Sequence, residues 1–492
     1  MNDPDAFVQR NWTMTIDNEQ VAASGGAALD VVDPSSATVV AQIPDATADD
    51  VDRAVAAAGR AFRSWRALPQ AERTAYVWKL AQVIDSHSEE LAWLDTIDNG
   101  SPIRVMRGDA PLAVEQLRHM AGIAPMVRGE VIPTPNRSSV DFTVRDPFGV
   151  VGRIVPFNHP LMFAASKLGA PLITGNTVVL KPSQHTSLSA LRLGELCATV
   201  LPPGVVNVLS GRGSSIGDHL VRHPDVPRIA FTGSVEVGLR IQREAATRRV
   251  KVVSLELGGK NPIVVFPDAA RDAAVDGVVR GMNFSWQGQS CGSTSRLYVH
   301  RSIFDDFVAE LGARMDALTV GDPRKPDIDV GAIVSRGQFE SVVGYIRQGL
   351  AHDGVRLVAG GLPQDADDPR GGYYIRPTLF SCEPDCDVSL AREEIFGPVL
   401  VASPFDSEEE VVGRANALPL GLTASVWTRD LGRAMRLTRD IESGYVWVNW
   451  SSTHIPGTPF GGVKDSGVGR EEGIEELYSY TQSKNAYIHF GE

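Results

Sequence analysis

The feature that most constrains the fold is an alternation between residues 149 and 259. Five short β-rich runs, "GVVGRIVPF", "NTVVLKPS", "VVNVLSG", "RIAFTGS" and "KVVSLELGG", recur there. Between them lie segments of helical length: "LMFAASKLGAPLIT", "SLSALRLGELCATV", "SIGDHLVRHP" and "SVEVGLRIQREAATR". Near-continuously apolar strands that alternate with helices predict a parallel, doubly wound sheet. Ligands of such sheets bind beyond the carboxyl ends of the strands. Those ends are "PFNHP", "KPS", "FTGS" and "ELGG".

A chain of 492 residues exceeds what one core supports, so two or three domains are expected. Upstream, Thr47 and Asp50 form a capping-box pattern before an Ala-rich helix, and further helix runs to a stop at Asn99–Gly100. From about 260 to 460 the strand/helix style continues with more irregular loops and reads as a second α/β domain. The last run, "YSYTQSKNAYIHF", reads as a strand that needs a partner from this chain or from another subunit. No repeat or low-complexity segment interrupts the chain.

Composition narrows the function classes. The formal net charge of −13 is spread along the chain, which argues against a nucleic-acid or anionic-membrane binder. No apolar run approaches the ~18 to 20 residues of a membrane span, and no secretory signal is visible at the N-terminus. The four cysteines do not make a disulfide scaffold, and a reducing cytoplasm is the expected location. Cys382 and Cys386 are spaced Cys-x3-Cys without a second pair, short of the four ligands of structural zinc, so no metal is expected. Cys197 falls on an apolar helix face and reads as core. Cys291, in "GQSCGSTSR", instead sits among glycines and small polar residues, where a nucleophile has room.

Several residues on the expected rim carry chemistry. Gly233 and Ser234 close a strand and open a helix, where free N–H groups and the helix dipole favour an anion; a plain helix cap is the bland alternative. Lys181 is suited to ribose hydroxyls or a phosphate. Glu256, at an apolar strand tip before Gly258–Gly259, suits a general base because burial raises a carboxyl pKa; a salt-bridged structural role is the alternative. Cys291 requires activation, by Glu256 or by a histidine, with His159 and His454 as candidates. Asn158 offers an amide donor for an oxyanion, or merely turn chemistry beside Pro160.

The motifs "PFNHP", "GNTVVLKPS", "FTGSVEVG", "LELGGKNP", "GQSCG", "EEIFGPV" and "PFGGVKDSGVGRE", in this order, resemble the aldehyde dehydrogenase superfamily from about residue 30 to the end. The resemblance implies an α/β architecture with a Rossmann-like parallel-sheet cofactor domain (1–124 and 148–258), a second α/β catalytic domain (259–465) and a small β oligomerisation element (125–147 and 474–492). It implies NAD(P)-dependent oxidation of an aldehyde to a carboxylic acid in the hydrolytic branch. Cys291 matches the nucleophile that gives a thiohemiacetal and then a thioester, Asn158 the oxyanion amide, and Glu256 the base that activates water. Pro156, Phe157, Lys181, Ser183, Gln184, Gly233, Ser234, Leu257, Glu394 and Phe396 match the cofactor side. His159, Phe163, Ser166, Asn449, Trp450, His454 and Phe460 match the aldehyde side. A homodimer or homotetramer is implied.

Two departures stand out. Gln184 replaces a glutamate that in the family binds ribose hydroxyls and repels a 2′-phosphate, so NAD with some NADP use is expected. His159 stands where the family carries an aromatic ring, and the aldehyde mouth lacks an acidic cage or an arginine near Ser166. A neutral aromatic or medium-chain aldehyde is therefore expected. The rivals are a coenzyme-A-acylating semialdehyde dehydrogenase, which generally lacks a base at the Glu256 position, a catalytically idle relative, and a cofactor-independent thiol hydrolase.

Overall fold

The computed structural model describes residues 5–364 and 371–491. Its first sheet has eight strands, and the five central ones (Val150–Ile154, Thr177–Lys181, Val206–Val208, Arg228–Thr232 and Val252–Glu256) run parallel. Taken in chain order they lie 3-2-1-4-5, so the direction of winding reverses between Val150–Ile154 and Arg228–Thr232. Thr177–Lys181 and Arg228–Thr232 are buried along their whole length because helices cover both faces, which is why they read as unbroken apolar runs. Antiparallel strands close the edges: Met14–Ile16 and Glu19–Val21 on one side, Gly467–Val468 on the other.

The chain leaves this sheet at Glu256 and enters the second at Pro262, crossing between them in five residues. The second sheet has seven strands, parallel except for the edge strand Val355–Ala359. Each sheet has its own apolar core. Strand Thr481–His489 pairs antiparallel with Ser139–Pro147 in a separate three-stranded sheet, so the terminal strand finds its partner within the chain.

The Thr47–Asp50 capping box is formed at the head of helix Ala48–Ala67. Cys197 is fully buried in helix Leu188–Val200. Helix Ser88–Asn99 carries two buried carboxylates whose targets lie on other elements. Asp95 accepts from the N–H of Leu161 and Asp98 from that of Leu188, each at 3.0 Å. They satisfy orphan donors at the starts of helices Pro160–Ser166 and Leu188–Val200, which fixes those helices beneath the rim. Among the described residues, no helix is long and apolar enough to cross a membrane, and no cluster could hold a metal ion.

Candidate active site

A cleft of about 660 Å³ opens at the reversal point of the first sheet and is closed by loops of the second. Pro156, Phe157, Asn158, Phe163, Lys181, Ser183, Gln184, Gly233, Ser234, Glu256, Cys291, Glu394 and Phe396 all line it. Its volume suits a cofactor-sized ligand. Phe157 from the first sheet meets Phe396 from the second edge-to-face, with ring centroids 5.5 Å apart. Gln338 donates to the carbonyls of Ile395 and Phe396 at 3.0 and 2.9 Å, which holds the loop carrying Glu394.

The thiol is held from behind. Asn261, in the crossing segment, donates to the carbonyls of Cys291 and Ser293 at 2.7 and 3.0 Å, while its Oδ1 accepts from the N–H of Thr423. Burial, then the charges of Glu394 and Glu256, push the Cys291 thiol up to about 12. The side chain is only half-buried by exposed area, so a ligand can reach the sulfur through the cleft. The thiol is thus protonated at rest, and a base or a bound charge must assist its ionisation.

Glu256 is 5 % exposed, and neither carboxylate oxygen has a hydrogen-bond partner. A structural salt bridge is therefore not its role. Burial, reinforced by Glu471, holds its pKa well above the carboxylate range against the pull of Lys167, Arg470 and Arg153. Gly461 is what lets the chain pass it: a β-carbon there would stand 2.9 Å from Glu256 Oε1. Behind lies a buried charge network that the sequence reading did not isolate. Glu471 bonds Arg153 at 2.7 Å and Lys167 at 3.0 Å. Those two cations draw Glu471 down to about 2, against burial, which alone would raise it.

Asn158 is 3 % exposed, and its Oδ1 is unpartnered, so turn chemistry does not occupy the amide. Ser234 does cap helix Val235–Ala245, accepting from the Val237 N–H at 3.4 Å, and it lines the cleft as well. Lys181 donates to the Pro182 carbonyl at 2.9 Å, and burial lowers its pKa to about 8. Glu394 accepts from the Gly259 N–H at 3.0 Å, and burial raises its pKa to about 7. A side chain at Gly258 would collide with this carboxylate, so only glycine permits the approach.

Not every expected position reaches the cleft. Leu257 is buried and packs under Gly238 of helix Val235–Ala245. Ser166 turns inward and donates to the Met162 carbonyl at 2.6 Å, as a serine inside a helix can. Asn449 is exposed, outside the cleft lining, with its amide bonded to both the N–H and the carbonyl of Thr428, so it braces a turn. Trp450 is 48 % exposed and stacks under Arg280 at 4.0 Å. His159, His454 and Phe460 stand outside the cleft lining in two aromatic groups. His159 packs on Phe163 and Trp286, while His454 and Phe460 pack with Tyr445 and Trp447.

This chain sets the crevice of a doubly wound sheet against a cysteine loop of a second sheet. It belongs to the aldehyde dehydrogenase family, whose model matches residues 21–486. It is 42% identical to an aldehyde dehydrogenase of Talaromyces stipitatus, over 99% of this chain and 93% of that protein. It is 40% identical to the phenylacetaldehyde dehydrogenase of Pseudomonas fluorescens, over 96% and 95%. The NAD+ complex of an aldehyde dehydrogenase from Bacillus cereus superposes with a TM-score of 0.95 at 37% identity, covering 100% of this chain and 99% of that one.

Proposed function

We propose that this chain oxidises a neutral aromatic or medium-chain aldehyde to its carboxylic acid, with NAD as the cofactor. The observation that carries this reading is the convergence of Cys291, Asn158, Glu256 and Glu394 in one cleft whose far side holds Lys181 and Ser234. The residues present fit the cofactor. Gly258 leaves the space beside Glu394, and the lysine and the helix start suit its ribose and phosphates. When bound, NAD accepts the hydride.

The chain's own groups supply the rest. The Cys291 thiol releases its proton to water in the cleft as the sulfur attacks the aldehyde carbon, and the Asn158 amide with the Cys291 backbone N–H holds the oxyanion. Loss of hydride leaves a thioester on Cys291. Glu256, kept basic enough by burial, takes a proton from water so that the acid is released and the thiol restored. The unpaired Glu256 supports hydrolysis over transfer to coenzyme A. Phe163 on the cleft wall, with His159 packed against it, and the likeness to a phenylacetaldehyde dehydrogenase support an aromatic aldehyde. Gln184 on the cleft wall supports NADP use beside NAD.

Mixing the protein with NAD and benzaldehyde while following absorbance of the reduced cofactor tests the reading. Steady production of reduced cofactor together with benzoate is expected. Acid formed without reduced cofactor would reveal a thiol hydrolase, and a coenzyme-A requirement the acylating branch. Running NADP in parallel tests Gln184, and a negligible NADP rate rejects dual use. The division into cofactor, catalytic and oligomerisation parts, with a dimer or tetramer built through the three-stranded sheet, belongs to the same proposal.

A further inference from the structure

Cys382 and Cys386, too few to ligate structural zinc, meet in the fold. Cys382 ends strand Thr378–Cys382 and is 8 % exposed, and its side chain belongs to an apolar cluster against which Cys386 packs. The chain turns back at once, with the Cys386 N–H donating to the Glu383 carbonyl at 3.1 Å. A second contact fixes where the returning sulfur lies. Cys386 Sγ donates to the Gly354 carbonyl at 3.6 Å, and the next residue, Val355, stands directly opposite Cys382 in the antiparallel ladder. Both cysteines line one pocket of about 310 Å³, which shares no described residue with the active-site cleft. Burial, then the adjoining Cys386 thiol, push Cys382 up to about 12.

The two thiols differ in access. Cys386 is half-buried and can be reached, whereas Cys382 is buried and protonated at rest. Carboxylates (Glu383, Asp385, Asp387) and guanidiniums (Arg296, Arg392, Arg414) balance on the pocket wall, so it does not select a charged ligand. A small neutral oxidant needs no ion pair to enter. With one accessible thiol and a second beside it, the pair has the layout of an attacking and a resolving cysteine.

We propose that Cys382 and Cys386 form a reversible oxidation site, separate from the active site, that a hydroperoxide converts into an intramolecular disulfide. The Cys386 sulfur attacks the hydroperoxide and breaks its O–O bond. Cys386 becomes a sulfenic acid, and its thiol proton leaves on the other oxygen, as an alcohol or, from hydrogen peroxide, as water. The Cys382 sulfur then attacks the sulfenic sulfur. The S–S bond forms, the S–O bond breaks, and the hydroxyl departs with the Cys382 proton as water. The two thiols give up two electrons, which reduce the peroxide. A dithiol reductant reverses the change by exchange.

The test treats the full-length wild-type protein with hydrogen peroxide, then denatures it in iodoacetamide. No Lys or Arg lies between Cys382 and Cys386, so one tryptic peptide carries both. That peptide is expected to be unalkylated and lighter by two hydrogens than the dithiol, and dithiothreitol should restore two alkylatable thiols. In Cys382→Ser the reaction should stop at a dimedone-reactive sulfenic acid on Cys386. In Cys386→Ser, Cys382 should stay unoxidised. Cys382 is buried, so melting temperature is measured alongside, and Cys386→Ser stands as the independent second variant. Three results would each overturn the proposal: a wild-type peptide that keeps both thiols in excess peroxide, passage of Cys386 to a sulfinic acid without the disulfide, or a sulfenic acid on Cys382 in folded Cys386→Ser.

Discussion

At the scale of single residues the proposed chemistry turns on two protons, those of Cys291 and Glu256. With its thiol pushed up to about 12, Cys291 of the cofactor-free protein should react with iodoacetamide slowly near neutrality. Because the thiolate fraction grows as pH rises, the labelling rate should climb by about tenfold per pH unit up to about pH 10. A plateau starting near neutrality, followed by mass spectrometry of the labelled peptide, would show a far lower pKa. Cys291→Ala should abolish aldehyde oxidation while leaving NAD affinity, read by calorimetry, within a few-fold. Glu256 has its pKa raised, so its basic form is gained only as pH rises through that elevated value. The steady-state rate should rise over the same range. Glu256→Gln should flatten the profile and slow turnover by ~10²-fold or more, yet keep a pre-steady-state burst of reduced cofactor. Loss of the burst would shift Glu256 to activating the thiol. These residues were legible because each breaks a local rule: a thiol among glycines, a carboxylate on an apolar strand. Asn261, Glu471 and the partners of His159 and His454 were not, since each acts through a contact with residues far away in sequence.

Elements show the same division. The five parallel strands were readable because burial on both faces writes an apolar run into the sequence. Strand Gly467–Val468 was invisible, being two residues long with no periodicity to detect. It nonetheless borders the proposed base, with Gly467 opposite Glu256 in the ladder. The short helix Pro160–Ser166 was anticipated as helix, but the turn of Ser166 into it was not, because a serine reads alike facing in or out. Two substitutions test how elements hold the site. Gly258→Ala pushes on Glu394 from the crossing segment, and NAD affinity should fall by about tenfold or more in calorimetry. An unchanged affinity would show that the carboxylate does not fix the cofactor. Glu471→Gln leaves the nearly fully buried Arg153 and Lys167 facing a neutral amide, with Glu476, 3.9 Å from Lys167, as the remaining carboxylate of the network. Breaking such a buried cluster costs about 3–5 kcal/mol, seen as an earlier denaturation midpoint; an unmoved midpoint would mean that water reaches the pocket.

For the whole molecule, the terminal strand offers the clearest test. Its nine residues pair on one side with Ser139–Pro147, and Tyr487, Ile488 and Phe490 remain about half-exposed or more. A long edge strand bearing apolar side chains is a template for association. Sedimentation should therefore give a dimer or tetramer, and Ile488→Asp should shift it toward smaller species. A monomeric wild type would remove the basis for that role. That the last run needed a partner was plain from its composition, but which segment supplied one depended on a pairing across more than 300 residues, which local pattern cannot encode. The Gly467–Val468 strand carries a consequence for biosynthesis. Leu255 and Glu256 leave the ribosome more than 200 residues before the strand that caps them, and Glu471 follows later still. A nascent chain can close most of the first sheet early, but the wall around Glu256 waits until residues 467–471 are made. Contacts of such sequence separation form slowly. A ribosome-bound chain truncated before residue 467 should bind NAD and fail to turn over, so that catalytic competence is acquired only once residues 467–471 have been added.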